Sequence, residues 1–409
     1  MLNRRTLLKR LSAMPLLGGI FGSSALTSSV LAAPVAAAAA RNVLTELGVR
    51  TFINAAGTYT AMTGSLMDDD VVAAIQAASK DFVMLDDVQT KVGEKIAALT
   101  HAESAVVTAG CFSAMTLGLA GVLTGMDQKR VEALPHLAGS GMKSEVIAQK
   151  AHNIGYSHAL TNTGCTIVQV ETIADVEKAI TDKTALLWFL NIQSDKSTIT
   201  HEEWVALGKK HNIPTMIDMA ADVPPLENLW KFNDMGFDLV CVSGGKAMRG
   251  PQSAGILMGK KPLIAAARLS MPPRGSTIGR GMKVNKEEVV GMYVALEKFI
   301  ARDQAKDWKM LEDRAAVIAN AAKSVKGVTV ETFAPALGNH TPTLRFGWDT
   351  ARINLTPKAL QEGLRTGNPS IEIVLNDTNG INMTAWMLKP GEEKIVATRL
   401  KEEFMKASV

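Results

Sequence analysis

Cysteine is scarce in this chain: Cys111, Cys165 and Cys241 are the only three in 409 residues. An odd number with no metal-like spacing argues against both a disulfide framework and a zinc module, so the thiols read as buried apolar groups. Motifs for calcium and for a nucleotide P-loop are also missing, as are internal repeats and any long linker. Net charge is nearly absent once its location is considered. The formal +4 equals the four cations Arg4, Arg5, Lys9 and Arg10 in residues 1–40, which contain no acid. The remaining 40 basic and 40 acidic residues balance, which gives no footing for a polyanion partner. What is present is ordinary globular composition, 47% apolar and 21% charged, in a chain long enough for a large core and two domains.

Residues 1–40 have a basic start, a moderately apolar centre and a small-residue end, the layout of an export signal. Asn3-Arg4-Arg5-Thr6-Leu7-Leu8-Lys9 resembles the twin-arginine signal, with Leu7 at its usual aromatic position. Gly, Ser and Thr interrupt the apolar centre, which makes it a poor spanning helix. A periplasmic protein is therefore expected, with cleavage between Ala32 and Ala40 and no stable membrane insertion after signal removal.

From residue 68 onward, helical stretches alternate with short apolar runs. "DDDVVAAIQAASKDF" and "QTKVGEKIAALTHA" have helical spacing. The runs "SAVVTAG", "CTIVQV", "ALLWFL", "IPTMID", "LVCVSG" and "AGILMG" read as strands. Such alternation predicts an α/β fold, a mostly parallel sheet with helices on both faces. Asn285 is placed to cap a long helix leading to a smaller C-terminal α+β domain. The expected organisation is a signal (1–40), a segment contributing to the site (41–67), a large domain (68–284), then the linking helix and small domain (285–409).

Ligands of parallel sheets sit beyond the C-terminal strand ends, and four features fall there in order. "VVTAGCFSA" turns from a strand into a helix at Gly110, and free N–H groups at a helix start suit a phosphate. "QKAHNIGYSHAL" brings His152, Tyr156 and His158, whose flat rings could cover a flat cofactor. Asp218 closes "IPTMID", where a desolvated carboxylate needs a strong donor or a cation. Lys246 follows in "SGGKAMRGPQ"; a partly desolvated lysine is an effective amine nucleophile. Gly244 and Gly245 let the backbone approach a ligand, and Ser243 and Arg249 can bind an anion beside it. Each feature alone has a bland alternative in a turn, a cap or a surface lysine. Their order is the layout expected for pyridoxal 5'-phosphate: phosphate turn, ring residue, aspartate for the pyridine nitrogen and lysine as covalent anchor.

The blocks "INAAGTYTAMTGS", "VVTAGCFSA", "MIDMAADVPP", "SGGKAMRGPQSAGIL" and "IGRGMKVNKEE" resemble the selenocysteine synthase (L-seryl-tRNA seleniumtransferase)-like and D-glucosaminate-6-phosphate ammonia-lyase-like group. These are fold-type I pyridoxal phosphate enzymes, and the resemblance runs from Leu44 to the C-terminus. It implies that Lys246 anchors the cofactor, that Asp218 meets its pyridine nitrogen and that His152 stacks on its ring. It also implies that Gly110, Cys111 and Ser243 surround the phosphate, and that Arg280, Lys283, Asn54 and Thr58 face the substrate. Arg345 is either a carboxylate ligand or half of a structural ion pair. "GTYTAMTGS" replaces the more polar segment of the tRNA-dependent members, so a small-molecule amino substrate is expected instead of tRNA. The resemblance also implies a homodimer or higher homo-oligomer. Elimination, as in an ammonia-lyase, leads among the reactions open to such a site. Racemization, transamination and a non-catalytic binding role are the alternatives.

Overall fold

The computed structural model describes residues 41–376 and 380–409, so the expected export signal lies outside the described residues. Residues 41–50 hold one short helix, Val43–Glu46, which Asn42 caps by accepting from the Thr45 N–H. Thr51–Val409 forms one compact unit.

Its centre is a seven-stranded sheet built from β2 (Ser104–Thr108), β3 (Glu145–Gln149), β4 (Thr166–Val170), β5 (Thr184–Leu190), β6 (Thr215–Asp218), β7 (Leu239–Ser243) and β8 (Gly255–Gly259). The spatial order is β2-β8-β7-β6-β5-β3-β4. Only β8 runs against its neighbours; the other pairings within the sheet are parallel. Six of the seven strands coincide with the apolar runs of the sequence. The seventh, β3, was hidden because Glu145 and Gln149 at its two ends leave an apolar run of only three residues, Val146–Ala148.

Side chains alternate strictly through this sheet, and each face is closed by helices. Val107, Ile147, Phe189, Ile217, Val242 and Ile256 pack on one face. Val106, Val146, Trp188, Met216, Cys241 and Leu257 pack on the other, against helix Gly110–Thr124. Sheets buried on both faces read as continuous apolar runs, which is why these strands were visible in the sequence.

Asn285 does cap the long helix Lys286–Ala301, with Glu288 completing a reciprocal capping box. A second long helix, Gln304–Lys323, follows. The C-terminal part contains an antiparallel sheet of β9 (Val328–Phe333), β10 (Thr343–Trp348), β12 (Val374–Leu375) and β13 (Ile381–Thr384), in the order β12-β13-β10-β9. The stretch "SIEIVLN" is split between two short strands. Its first half is β11 (Ile371–Glu372), which pairs in parallel with β1 (Ile53–Asn54). That pairing ties the segment carrying Asn54 and Thr58 to the C-terminal part. Among the described residues, no helix is long and apolar enough to cross a membrane.

Candidate active site

The strand register assembles the site. Thr108 of β2 and Ser243 of β7 both lie opposite Gly255 of β8, while Asp218 of β6 lies beside Cys241 of β7 and Leu190 of β5. The C-terminal ends of β2, β5, β6 and β7 thus share one edge of the sheet. Lys246 follows β7 by three residues. Its side chain lines one cavity of about 210 Å³ with Asp218, Thr58, Tyr156, Asp222 and Asn339. It also reaches an adjoining cavity with Ser243, Gly245 and Ser253.

The two glycines before Lys246 are required by close approach. A Cβ on Gly244 would sit 2.1 Å from the Met292 Sδ, and one on Gly245 would sit 2.4 Å from the Gln252 Cα. The Ser65 N–H donates to the Gly245 carbonyl at 3.1 Å. The backbone leading to the lysine is clamped between three other segments.

Helix Gly110–Thr124 begins at Ala109 with no side-chain cap, which leaves N–H groups of its first turn for a ligand. Gly110 adopts φ 83°, a left-handed conformation that favours glycine. The helix start rides over Gly255, where a Cβ would meet the Cys111 nitrogen at 2.7 Å.

Cys111 divides its roles: its backbone belongs to this turn, but its thiol turns inward and donates to the Asp218 Oδ1 at 3.3 Å. Burial pushes the thiol well up, with the Cys241 thiol and Asp218 adding to it. All three cysteines are buried and unbridged. Asp218, 3% exposed, also accepts from the Ala220 N–H at 2.9 Å. Burial raises its carboxyl above the ordinary range, opposed by the Ala220 N–H, Cys111 and Lys246. A desolvated carboxylate of this kind is completed by a cation.

His152 departs from expectation. Its ring is fully buried edge-on against Phe189, with centroids 4.4 Å apart. Its Nδ1 accepts from the Leu190 N–H at 3.3 Å and its Nε2 meets the Ser197 Oγ at 2.8 Å. The 3-10 turn Lys150–His152 folds the ring into the core, and burial followed by the nearby His201 lowers it to about 4. The aromatic side chains on the cavity wall are Tyr59 and Tyr156.

The substrate-facing candidates separate in the same way. Thr58 lines both cavities and donates to the Asn339 Oδ1 at 2.8 Å. Asn54 instead shapes the turn that presents Thr58, its Oδ1 accepting from the Ala56 and Gly57 N–H groups at 3.0 Å. Arg280 and Lys283 are exposed and line neither cavity. Arg249 does not flank the lysine: it faces Asp68 at 3.6 Å and donates to the Trp386 carbonyl at 3.2 Å. Arg345 pairs with Glu331 at 2.8 Å and lies over the Phe333 ring, which is the structural ion pair.

Asp222 is the residue the sequence reading missed. It is 3% exposed and four positions beyond Asp218. Burial raises its carboxyl to about 6, with nearby Asp218 adding to this; Asn191, the Gly338 N–H and Lys246 oppose it. Its only sequence signal is the second acid in "MIDMAADVPP".

A strand-end lysine and a buried strand-end aspartate facing one cavity, beside an uncapped helix start, define a fold-type I transferase-like site. The donor set fits pyridoxal phosphate: an amine to bind it, a buried acid lacking a cation, and a helix start for its phosphate. The family model of L-seryl-tRNA selenium transferase matches residues 52–336, and the chain belongs to that family. It is 28% identical over 341 residues to D-glucosaminate-6-phosphate ammonia lyase of Salmonella typhimurium, covering 81% of this chain and 88% of that protein. It is 26% identical to the 5'-C-glycyluridine monooxygenase-decarboxylase of a Streptomyces species, covering 87% and 90%. A solved structure of D-glucosaminate-6-phosphate ammonia-lyase superposes with a TM-score of 0.78 at 26% identity, covering 90% of this chain and 99% of that one. A serine palmitoyltransferase structure containing pyridoxal phosphate shares the fold at TM-score 0.54 and 14% identity, covering 88% and 89%. Family and fold agree with an enzyme of the pyridoxal phosphate class.

Proposed function

We propose that the protein is a pyridoxal phosphate-dependent lyase that removes the Cα proton of a small amino acid or amino-sugar acid and eliminates a β-substituent. The observation that carries this reading is the placement of Lys246 and Asp218 on one cavity wall, at the ends of adjacent strands. Lys246 would hold the cofactor covalently, Asp218 would meet its ring nitrogen, and the Gly110–Cys111 turn with Ser243 would receive its phosphate. When bound, the cofactor supplies an electron-withdrawing ring that makes a substrate Cα proton removable.

The chain's own residues supply the rest. Asp218, shielded from water, keeps positive charge at the ring nitrogen. The Lys246 amine, at the cavity wall, would take the Cα proton of a bound substrate as general base. Thr58, Tyr59, Thr60, Tyr156 and Asn339 give the cavity a hydroxyl- and amide-rich wall, which suits a hydroxylated substrate. The similarity to an ammonia lyase over most of both chains supports elimination. Export before residue 41 and a homo-oligomer belong to the same proposal. In it, the exposed Arg280 and Lys283 would serve a neighbouring copy's cavity.

Purified protein reconstituted with pyridoxal phosphate should show a visible absorption band, and Lys246→Ala should lose it. A panel of L- and D-amino acids and D-glucosaminate-6-phosphate should then yield keto acid and ammonia without an amino acceptor. Inversion without keto acid would replace the lyase reading with a racemase, and no band after reconstitution would end it.

A further inference from the structure

Neither the covalent anchor nor the ring-nitrogen partner accounts for Asp222. This carboxylate shares the cavity wall with Lys246, Thr58, Tyr156 and Asn339. Its Oδ1 accepts from the Gly338 N–H at 2.9 Å, which holds the 335–341 loop over the site. Its Oδ2 is buried without a completed hydrogen bond. The Asn191 side chain is a hydrogen-bonding neighbour that favours the charged form; its Oδ1 meets the His201 Nε2 at 2.8 Å, which leaves its NH2 group as the donor available to Asp222. Buried polar atoms in native proteins nearly always have partners, and an exception inside a cavity points to a ligand.

The two acids have different surroundings. Asp218 is held by the Ala220 N–H and the Cys111 thiol and awaits a cation. Asp222 faces Asp218 and Lys246 among charged groups, with Asn191 and the Gly338 N–H as its polar neighbours and His201 beyond Asn191. Burial raises both carboxyls; a cation brought against Asp218 would keep that one an anion, which leaves Asp222 to serve as the acid. The cavity's other proton carriers include threonine and tyrosine hydroxyls, which are far weaker acids, and burial pushes Tyr59 further up.

Resting on the lyase reading, we propose that Asp222 is the acid of this site, passing a proton from Oδ2 to a hydroxyl leaving the substrate's β-carbon. The bookkeeping of bonds is closed. Lys246 takes the Cα proton, and the Cα–H electron pair becomes the Cα=Cβ bond. The Cβ–O pair leaves with oxygen, which takes the Asp222 proton and departs as water. Solvent then returns Asp222 and Lys246 to their starting states. The substrate class is a β-hydroxy amino acid or amino-sugar acid.

The test compares leaving groups in the reconstituted full-length protein. Asp222→Asn keeps the shape and an acceptor for the Gly338 N–H but cannot give the proton. The variant should retain the visible cofactor band and Cα hydrogen–deuterium exchange of D- and L-serine. Its keto acid release from serine should fall about 10²- to 10⁴-fold. Release from D- and L-β-chloroalanine, whose chloride leaves without a proton, should fall far less. In wild type, serine elimination should decline as pH rises through about 6, where Asp222 loses its proton, and that decline should vanish in the variant. Equal losses for hydroxyl and chloride would overturn the proposal and leave Asp222 as an anchor for the loop. A wild type that exchanges the Cα proton of serine yet releases no keto acid would overturn it too. A wild type without cofactor band or exchange would instead remove the lyase reading on which the proposal stands.

Discussion

Replacing Gly245 with alanine would place a methyl carbon 2.4 Å from the Gln252 Cα and 3.0 Å from its carbonyl oxygen. Both obstacles are backbone, so no rotamer change relieves them and one chain segment must move by about an ångström. Overpacking of this kind costs about 1–3 kcal/mol, and a backbone obstacle places the cost at the upper end. For a chain of this size, about 3 kcal/mol lowers Tm by roughly 5 °C. The displaced segment carries Lys246, so cofactor retention should fall with stability. The control is Gly155→Ala, which meets nothing within 4 Å and should change stability by no more than about 0.5 kcal/mol. Thermal unfolding and visible absorbance, recorded on both variants with and without added pyridoxal phosphate, provide the comparison. A Gly245→Ala protein that melts with wild type and keeps its full band would refute the packing account of this glycine pair.

Removing the thiol donor in Cys111→Ala should weaken cofactor retention about tenfold, the equivalent of ~1.5 kcal/mol, the low end for a hydrogen bond to a charged group. Cys111→Ser should restore most of it, as read by dialysis against buffer and residual absorbance. His152 makes a pH-dependent contribution of defined sign. Its folded-state value of about 4 lies below its ordinary 6.5, so the unfolded chain binds more protons between those values. Stability is therefore complete above about pH 6.5 and falls as pH drops toward 4, by on the order of 3 kcal/mol. A Tm-against-pH series should show a flatter slope in His152→Gln, and an unchanged slope would assign the acid sensitivity elsewhere.

Much of the sheet was legible because strands buried on both faces leave continuous apolar runs, and Asp218 and Lys246 stand where two of those runs end. The helix at Asn285 was legible because its capping box is local. What escaped depends on contacts between distant segments. Asp222 became conspicuous only because a loop 116 residues away meets its carboxylate. The burial of His152 depends on Phe189 and Ser197 arriving from another part of the chain, and a ring-bearing segment after a strand does not reveal which ring turns inward. Asn54 looked substrate-facing by position, yet its amide is consumed by the turn it builds. Spacing located the strand ends, whereas side-chain direction required the packed fold.

Borohydride reduction of the reconstituted protein, followed by proteolysis and mass spectrometry, tests the central claim most directly. A pyridoxyl group fixed on the peptide containing Lys246, and absent when reduction follows Lys246→Ala, is the predicted result. Labelling of a different lysine, or of none, would contradict it.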